Sequence, residues 1–231
     1  NIKINNITIQ NCYSEGINGG DSINDYPIAT IDNYANLITD NVKFINNCAG
    51  IGAGIRNNIN SSVNIRNTVF DGNRKSTSTG NYGAALYNIG IATMINSTII
   101  NCYGRWGTVT NDGRLFVYNS TFENNHAYDG ASTYKAGSGI YSNTGGSNFF
   151  ETFDIDGLYV EIENCTFINN EQSDIVLGKS SAVINNNIFN QSSGIFSETN
   201  RQRVNITQNI TNNNFINMQT SNILSTLSGN A

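Results

Sequence analysis

Along the chain, apolar and polar residues alternate in short runs, and each run stops at an asparagine. Ile2 and Ile4 precede Asn6, Val63 and Ile65 precede Asn67, Leu115 and Val117 precede Asn119, and Val160 and Ile162 precede Asn164, always four and two residues before it. Period-two alternation marks a strand with one buried face, and the fixed offset to Asn marks a bend after that strand. Beyond the Asn come two residues, a large apolar residue and more Asn. The copies read NITIQNC from Asn6, NVKFINNC from Asn41, NTVFDGN from Asn67, NSTIINC from Asn96, NSTFENN from Asn119 and NCTFINN from Asn164, with weaker copies NNIFNQS from Asn186 and NNNFIN from Asn212. Strand, bend and strand form one repeating unit.

Successive marker asparagines are 35, 26, 29, 23, 45, 22 and 26 residues apart. A minimum near 22 suits one coil of three short strands and three bends, and longer spacings place loops at the bends. One coil cannot bury its inner face alone, so stacking is required. The expected fold is all-β, a right-handed parallel β-helix of eight coils forming one domain over residues 1–231 and rising to about 40 Å at the spacing between neighbouring strands. The widest interval, between Asn119 and Asn164, is expected to hold loop insertions over residues 126–157. A second strand of each coil carries Gly, small residues and then an apolar residue, as in Gly52-Ala53-Gly54-Ile55, Gly83-Ala84-Ala85-Leu86, Gly107-Thr108-Val109, Gly137-Ser138-Gly139-Ile140 and Gly194-Ile195. Small residues fit a narrow part of the coil where backbones approach closely.

Asparagine supplies 43 of 231 residues, and proline only one. Asn tolerates left-handed backbone geometry and bonds its own main chain, which suits bends, and stacked amides can also bond from coil to coil. The markers Asn6, Asn41, Asn67, Asn96, Asn119, Asn164 and Asn186, with Phe44, Phe70, Phe122 and Phe167 after four of them, are therefore read as structural ladders. Eleven Phe and eleven Tyr supply apolar area that disordered chains lack. A net charge of −5 leaves no basic footprint for nucleic acid. No run of about 18 apolar residues offers a membrane-spanning helix. Because the chain starts inside a repeat and without Met, it reads as a fragment of a larger protein.

The pairing of the Gly-rich segment with F-x-x-N, seen as Phe44 to Asn47, Phe70 to Asn73, Phe122 to Asn125 and Phe167 to Asn170, resembles the polymorphic outer-membrane-protein repeat. With its Asn-rich, Pro-poor character, the chain looks most like the adhesin-like surface proteins of methanogenic archaea, of the broad pectate-lyase-like β-helix class. Ile9 and Ile99 stand where that pattern has Phe, and the last two coils lack F-x-x-N. The resemblance implies an extracellular, cell-surface module that attaches to host or microbial glycans or proteins, without a cofactor.

Cys12, Cys48 and Cys102 fall six or seven residues after a marker Asn, while Cys165 follows one directly. They are too dispersed for a metal site. Buried free thiols and a Cys12–Cys48 bridge between adjacent coils are both compatible with this spacing. Glycosylation sequons occur at Asn6, Asn60, Asn96, Asn119, Asn164, Asn190, Asn205 and Asn209, of which Asn60 and Asn205 suit surface modification best.

Polysaccharide cleavage, the alternative function, needs facing carboxylates or carboxylates with a basic partner. The acidic group that stands out is Glu151, Asp154 and Asp156, in the longest interval. His126, the one histidine of the chain, has no obvious partner. Aromatic residues point instead to binding. The residue after the inward Ile or Leu of the Gly-rich strand is expected to face outward, aligning Arg56, Tyr87, Thr110, Tyr141 and Phe196 on one side of the rod. Phe116 and Tyr118, also outward, and Arg105 with Trp106 at a nearby bend enrich the middle coils. Exposed rings beside polar groups suit a glycan or protein contact, whereas rings beneath loops would be packing.

Overall fold

A computed structural model of the chain describes residues 1–13, 29–75, 82–127, 137–142, 158–178, 180–198, 207–218 and 224–227. Three eight-stranded parallel sheets run the length of the rod, each taking one strand from every coil. The first holds the alternating strands from Ile2–Asn5 to Gln208–Thr211, the second those from Thr8–Gln10 to Asn214–Ile216, and the third those from Ile31–Asn33 to Leu224–Leu227. A short fourth sheet, built from Cys48–Ala49, Arg74–Lys75, Tyr103–Gly104 and His126–Ala127, lines one bend. The fold is the expected parallel β-helix of eight coils.

The bends explain the asparagines. All eight markers sit in the left-handed region with φ between 48° and 57°, and a second such residue follows five positions later, as at Asn11, Asn46, Gly72, Asn101, Asn124, Asn169, Gln191 and Asn217. That geometry costs an ordinary L-residue roughly 1–2 kcal/mol and Asn less, because its short side chain bonds locally. Two closely spaced left-handed residues fold the first sheet into the second and the second toward the third.

Register then sets the core. Leu115 lies opposite Ala92 and Val160, and Val117 opposite Met94 and Ile162, all inward and buried. In the second sheet the inward column is Ile9, Phe44, Phe70, Ile99, Phe122, Phe167, Phe189 and Phe215. Its rings stack face to face, at 4.9 Å for Phe44–Phe70, 4.8 Å for Phe122–Phe167 and 4.9 Å for Phe167–Phe189. The Gly-rich strand faces this column. A Cβ on Gly54 would run into the Ala85 carbonyl and lie 2.7 Å from the Phe70 ring, so only glycine fits there.

The ladders are deeper than the markers suggest. Marker amides bond between coils only in places, for example Asn41 Nδ2 to Asn6 Oδ1 at 2.8 Å, and they remain exposed. Two other columns are buried. The Asn of each F-x-x-N accepts a backbone N–H from the coil before it and donates to a carbonyl of that coil, as when Asn47 N donates to Asn73 Oδ1 and Asn73 Nδ2 to the Phe44 carbonyl. In the third sheet Asn33, Asn57, Asn88 and Asn111 form a chain of amides at 2.7–2.8 Å that ends on Ser142 Oγ. Each buried amide left unpaired would cost about 1–3 kcal/mol, so these columns fix coil register as well as joining coils.

Loop insertions around a coil are expected over residues 126–157, and the described part of that interval supplies strands of the coil. His126–Ala127 and Gly137–Ser142 are strands of the short and third sheets. Residues 128–136 and 143–157, with Glu151, Asp154 and Asp156, lie outside the described residues.

Candidate functional site

The outward column of the third sheet does not form an open face. Arg56, Tyr87, Thr110, Tyr141 and Phe196 lie in register as expected, but all are buried, Tyr87 at 2% exposure and Tyr141 at 3%. Tyr87 packs with Ile51, Tyr82 and Ile89, and Tyr141 with Val176, Phe196 and Trp106. The expectation that Arg56, Tyr87 and Tyr141 are exposed is therefore corrected: their side chains leave the axial core only to enter two satellite clusters. Tyr87 donates its hydroxyl to Asp112 Oδ2 at 2.9 Å, and burial, with the Asp112 charge behind it, raises its pKa well above the usual phenol value. Arg105 and Trp106 are half-buried at the adjoining bend, with the Arg105 guanidinium 5.3 Å from the Trp106 ring and that ring 5.6 Å from Tyr141.

The first sheet presents a different surface. Its outward residues in the fifth coil are Arg114, Phe116 and Tyr118, opposite Tyr159, Glu161 and Glu163 of the sixth. Inward Leu115, Val117, Val160 and Ile162 anchor both strands, so alternation forces these six side chains onto one outer face. Arg114 is exposed and the other five are half-buried. Glu161 is clamped: Tyr118 donates to its Oε1 at 2.6 Å and Tyr159 to its Oε2 at 2.7 Å. Desolvation and then the Glu161 bond raise both phenols, Tyr159 to about 12, so both protons stay in place as donors. Arg114 sits 5.8 Å from the Phe116 and Tyr159 rings, which approach each other at 5.6 Å.

Phe116 and Tyr118 are thus brought together as the sequence suggests, while Arg105 and Trp106 belong to another face. Arg114, Tyr159, Glu161 and Glu163 were missed. The signal was present, since Tyr159-Val160-Glu161-Ile162-Glu163 alternates strictly and puts two carboxylates on one side. Asp-based pairs alone do not reveal it.

Other groups with chemistry lie apart. His126 stacks on Tyr103 at 4.6 Å and meets the Glu171 carboxylate through Nδ1, so the lone histidine has a partner. All four cysteines are free. Cys12, exposed, and Cys102, buried, occupy the F-x-x-N ladder position, while Cys48 lies one residue further on. Burial pushes the Cys102 and Cys165 thiols up to about 12. A cavity of about 380 Å³ near the first coil is lined by Asn11, Cys12, Tyr13, Asn46, Cys48 and Arg74. Among the described residues no three His, Cys, Asp or Glu side chains converge as metal ligands do. Of the sequons, Asn60 is an exposed left-handed bend residue, and Asn205 lies outside the described residues.

Comparison with protein-family models, with curated proteins and with solved structures finds no match to this chain.

Proposed function

We propose that this chain is an extracellular attachment module, a non-catalytic rod of the adhesin-like kind its sequence resembles, and that it holds a cell-surface glycan on the outer face of the first sheet. The observation that carries this reading is the clamped Glu161 among Phe116, Tyr118 and Tyr159. Rings whose edges are fixed by hydrogen bonds offer flat apolar area at little entropic cost, and the surrounding carboxylates and guanidinium offer acceptors and donors for hydroxyl groups. Glu161 and Glu163 outnumber the single cation Arg114, so the face suits neutral or amino sugars better than polyanions such as pectin or alginate.

A glycan array with the full chain tests this directly. Binding to neutral or amino-sugar glycans that is lost in Phe116→Ala and Tyr118→Ala supports it, and binding unaffected by either change refutes it. The paired carboxylates also keep the polysaccharide-cleaving alternative in view. New reducing or unsaturated ends after incubation with bound glycans, abolished in Glu163→Gln, would replace attachment with catalysis.

A further inference from the structure

The outer face of the first sheet carries opposite charges that do not meet. Across the fifth and sixth coils its outward columns are Arg114 with Tyr159, then Phe116 with Glu161, then Tyr118 with Glu163, each pair in register. The cation stands at one edge of the sheet and both carboxylates lie toward the other. Among the described residues neither carboxylate forms an ion pair with Arg114, whose exposed guanidinium lies 5.8 Å from the Phe116 and Tyr159 ring centres instead. Glu161 accepts one tyrosine proton on each oxygen, and no described residue donates to the Glu163 carboxylate.

The strands on either side are neutral on this face. Their outward residues are Ile91, Thr93 and Ile95 in the fourth coil and Ser181, Val183 and Asn185 in the seventh. The charges are therefore no part of a longer ladder of ion pairs, and they are confined to the coils that carry the rings. Those rings also differ from the inner ones. The Phe rings of the core stack within 12° of parallel, whereas Phe116 and Tyr159 are tilted at 49°, so their faces are not closed on each other.

We infer that this face recognises a zwitterionic substituent of the glycan, phosphocholine. The inference rests on the reading of the first-sheet face as the glycan-holding surface, and it names the group held. The trimethylammonium end lies on the Glu161 and Glu163 side, where ring faces attract a cation that has no proton to donate and the two carboxylates balance its charge. The phosphate end lies at Arg114, whose planar fork of donors matches two phosphate oxygens. Arg114 and Glu161 are one strand and two residues apart, about 8 Å between Cα atoms, and the guanidinium leans along its strand toward Phe116, which narrows the gap to the span of one phosphocholine group. A neutral sugar would use the rings and leave all three charges idle, an amino sugar would leave Arg114 idle, and a polyanion would meet two carboxylates. A zwitterion uses both signs.

The test is isothermal titration of the full chain with phosphocholine, with choline and with inorganic phosphate, followed by titration with one neutral glycan prepared with and without a phosphocholine substituent. Phosphocholine is expected to bind at least tenfold more tightly than choline or phosphate, and the substituted glycan at least tenfold more tightly than the bare one. Arg114→Gln should lower phosphocholine affinity to that of choline for the parent chain, and Glu163→Gln should weaken phosphocholine binding at least fivefold. Phosphocholine that binds no better than choline, or binding untouched by both substitutions, overturns the inference. Tight binding of bare neutral glycans that phosphocholine does not compete away also overturns it while leaving the glycan-holding face in place, whereas no binding to phosphocholine or to any glycan removes both. Phosphatidylcholine vesicles carry the same headgroup, and vesicles that sediment the chain when the substituted glycan goes unbound would assign the site to a membrane and overturn the assignment to a glycan.

Discussion

Asn57 donates through Nδ2 to Asn88 Oδ1 at 2.8 Å, with both side chains fully buried and 31 residues apart in the chain. Asn88 in turn donates to Asn111 Oδ1 and to the carbonyls of Gly90 and Arg114. One side chain thus closes bonds to the coils on either side and to the bend that starts its own next coil.

Asn88→Ala should therefore be among the most destabilising single changes. It leaves an Asn57 amide proton and the Asn111 oxygen short of a partner and opens a small void, at a combined cost of about 3 kcal/mol. Urea denaturation followed by circular dichroism should show the lower midpoint. Asn88→Asp should be as harmful at neutral pH, because an ionised carboxylate cannot donate to Asn111.

The marker asparagines call for the opposite experiment. Asn96 is exposed at φ 50°, and its role is backbone geometry. Asn96→Gly should stay within about 0.5 kcal/mol of the parent, whereas Asn96→Val, β-branched in a left-handed bend, should cost about 2 kcal/mol. Equal losses in both variants would mean that the amide, not the backbone, carries the position.

These two asparagine classes show what was legible in the sequence. The markers and the Phe column could be read because both obey short-range rules, a left-handed bend and a period-two strand. The third-sheet ladder could not be read in the same way, although Ile31, Ile55, Leu86 and Val109 each precede its Asn by two residues. Its partners lie 23 to 31 residues apart, so only the register of stacked coils brings them together. Burial of Tyr87 and Tyr141 was hidden for the same reason. Period two assigns a side chain to a face, but whether that face is covered depends on Tyr82, Ile51 and Trp106, which arrive from other bends and coils. The clamp on Glu161 likewise joins Tyr118 to a residue 43 positions away.

Asp174 predicts an unusual pH profile. It is fully buried, accepts from Asn170 Nδ2 at 2.9 Å and from the Gly194 N–H at 2.8 Å, and desolvation pushes its carboxyl from 3.8 to about 6. The folded chain then binds more protons than the unfolded chain between pH 4 and pH 6. This group's stabilising contribution is thus greatest below pH 4 and falls as pH rises through 6, by about 3 kcal/mol for a shift of that size. Asp174→Asn, which keeps an acceptor for Gly194, should flatten that window and be more stable than the parent at pH 7. Denaturant titrations at pH 4, 5, 6 and 7 decide it, and a parent chain that instead gains stability from pH 4 to 6 relative to Asp174→Asn would contradict the assignment.

The first-sheet face should separate binding from folding. Phe116, Tyr118 and Tyr159 point outward from strands anchored by Leu115, Val117, Val160 and Ile162, so trimming a ring leaves the core intact. Tyr118→Phe removes the hydroxyl that holds Glu161 Oε1 but keeps the ring, whereas Tyr118→Ala removes both. If rings supply area and Glu161 supplies orientation, Tyr118→Phe should weaken glycan binding a fewfold and Tyr118→Ala at least tenfold. Stability should change by less than about 1 kcal/mol in either case, as expected for surface positions. Glu161→Gln tests the carboxylate itself: one tyrosine can still donate to the amide oxygen and the other can accept from the amide NH2, so the rings stay near their places while the charge is lost. Isothermal titration against the best glycan from the array reads all three variants. A Glu161→Gln chain that binds amino sugars less tightly but neutral sugars unchanged would assign the carboxylate to charge recognition, and equal losses for both would assign it to holding the rings.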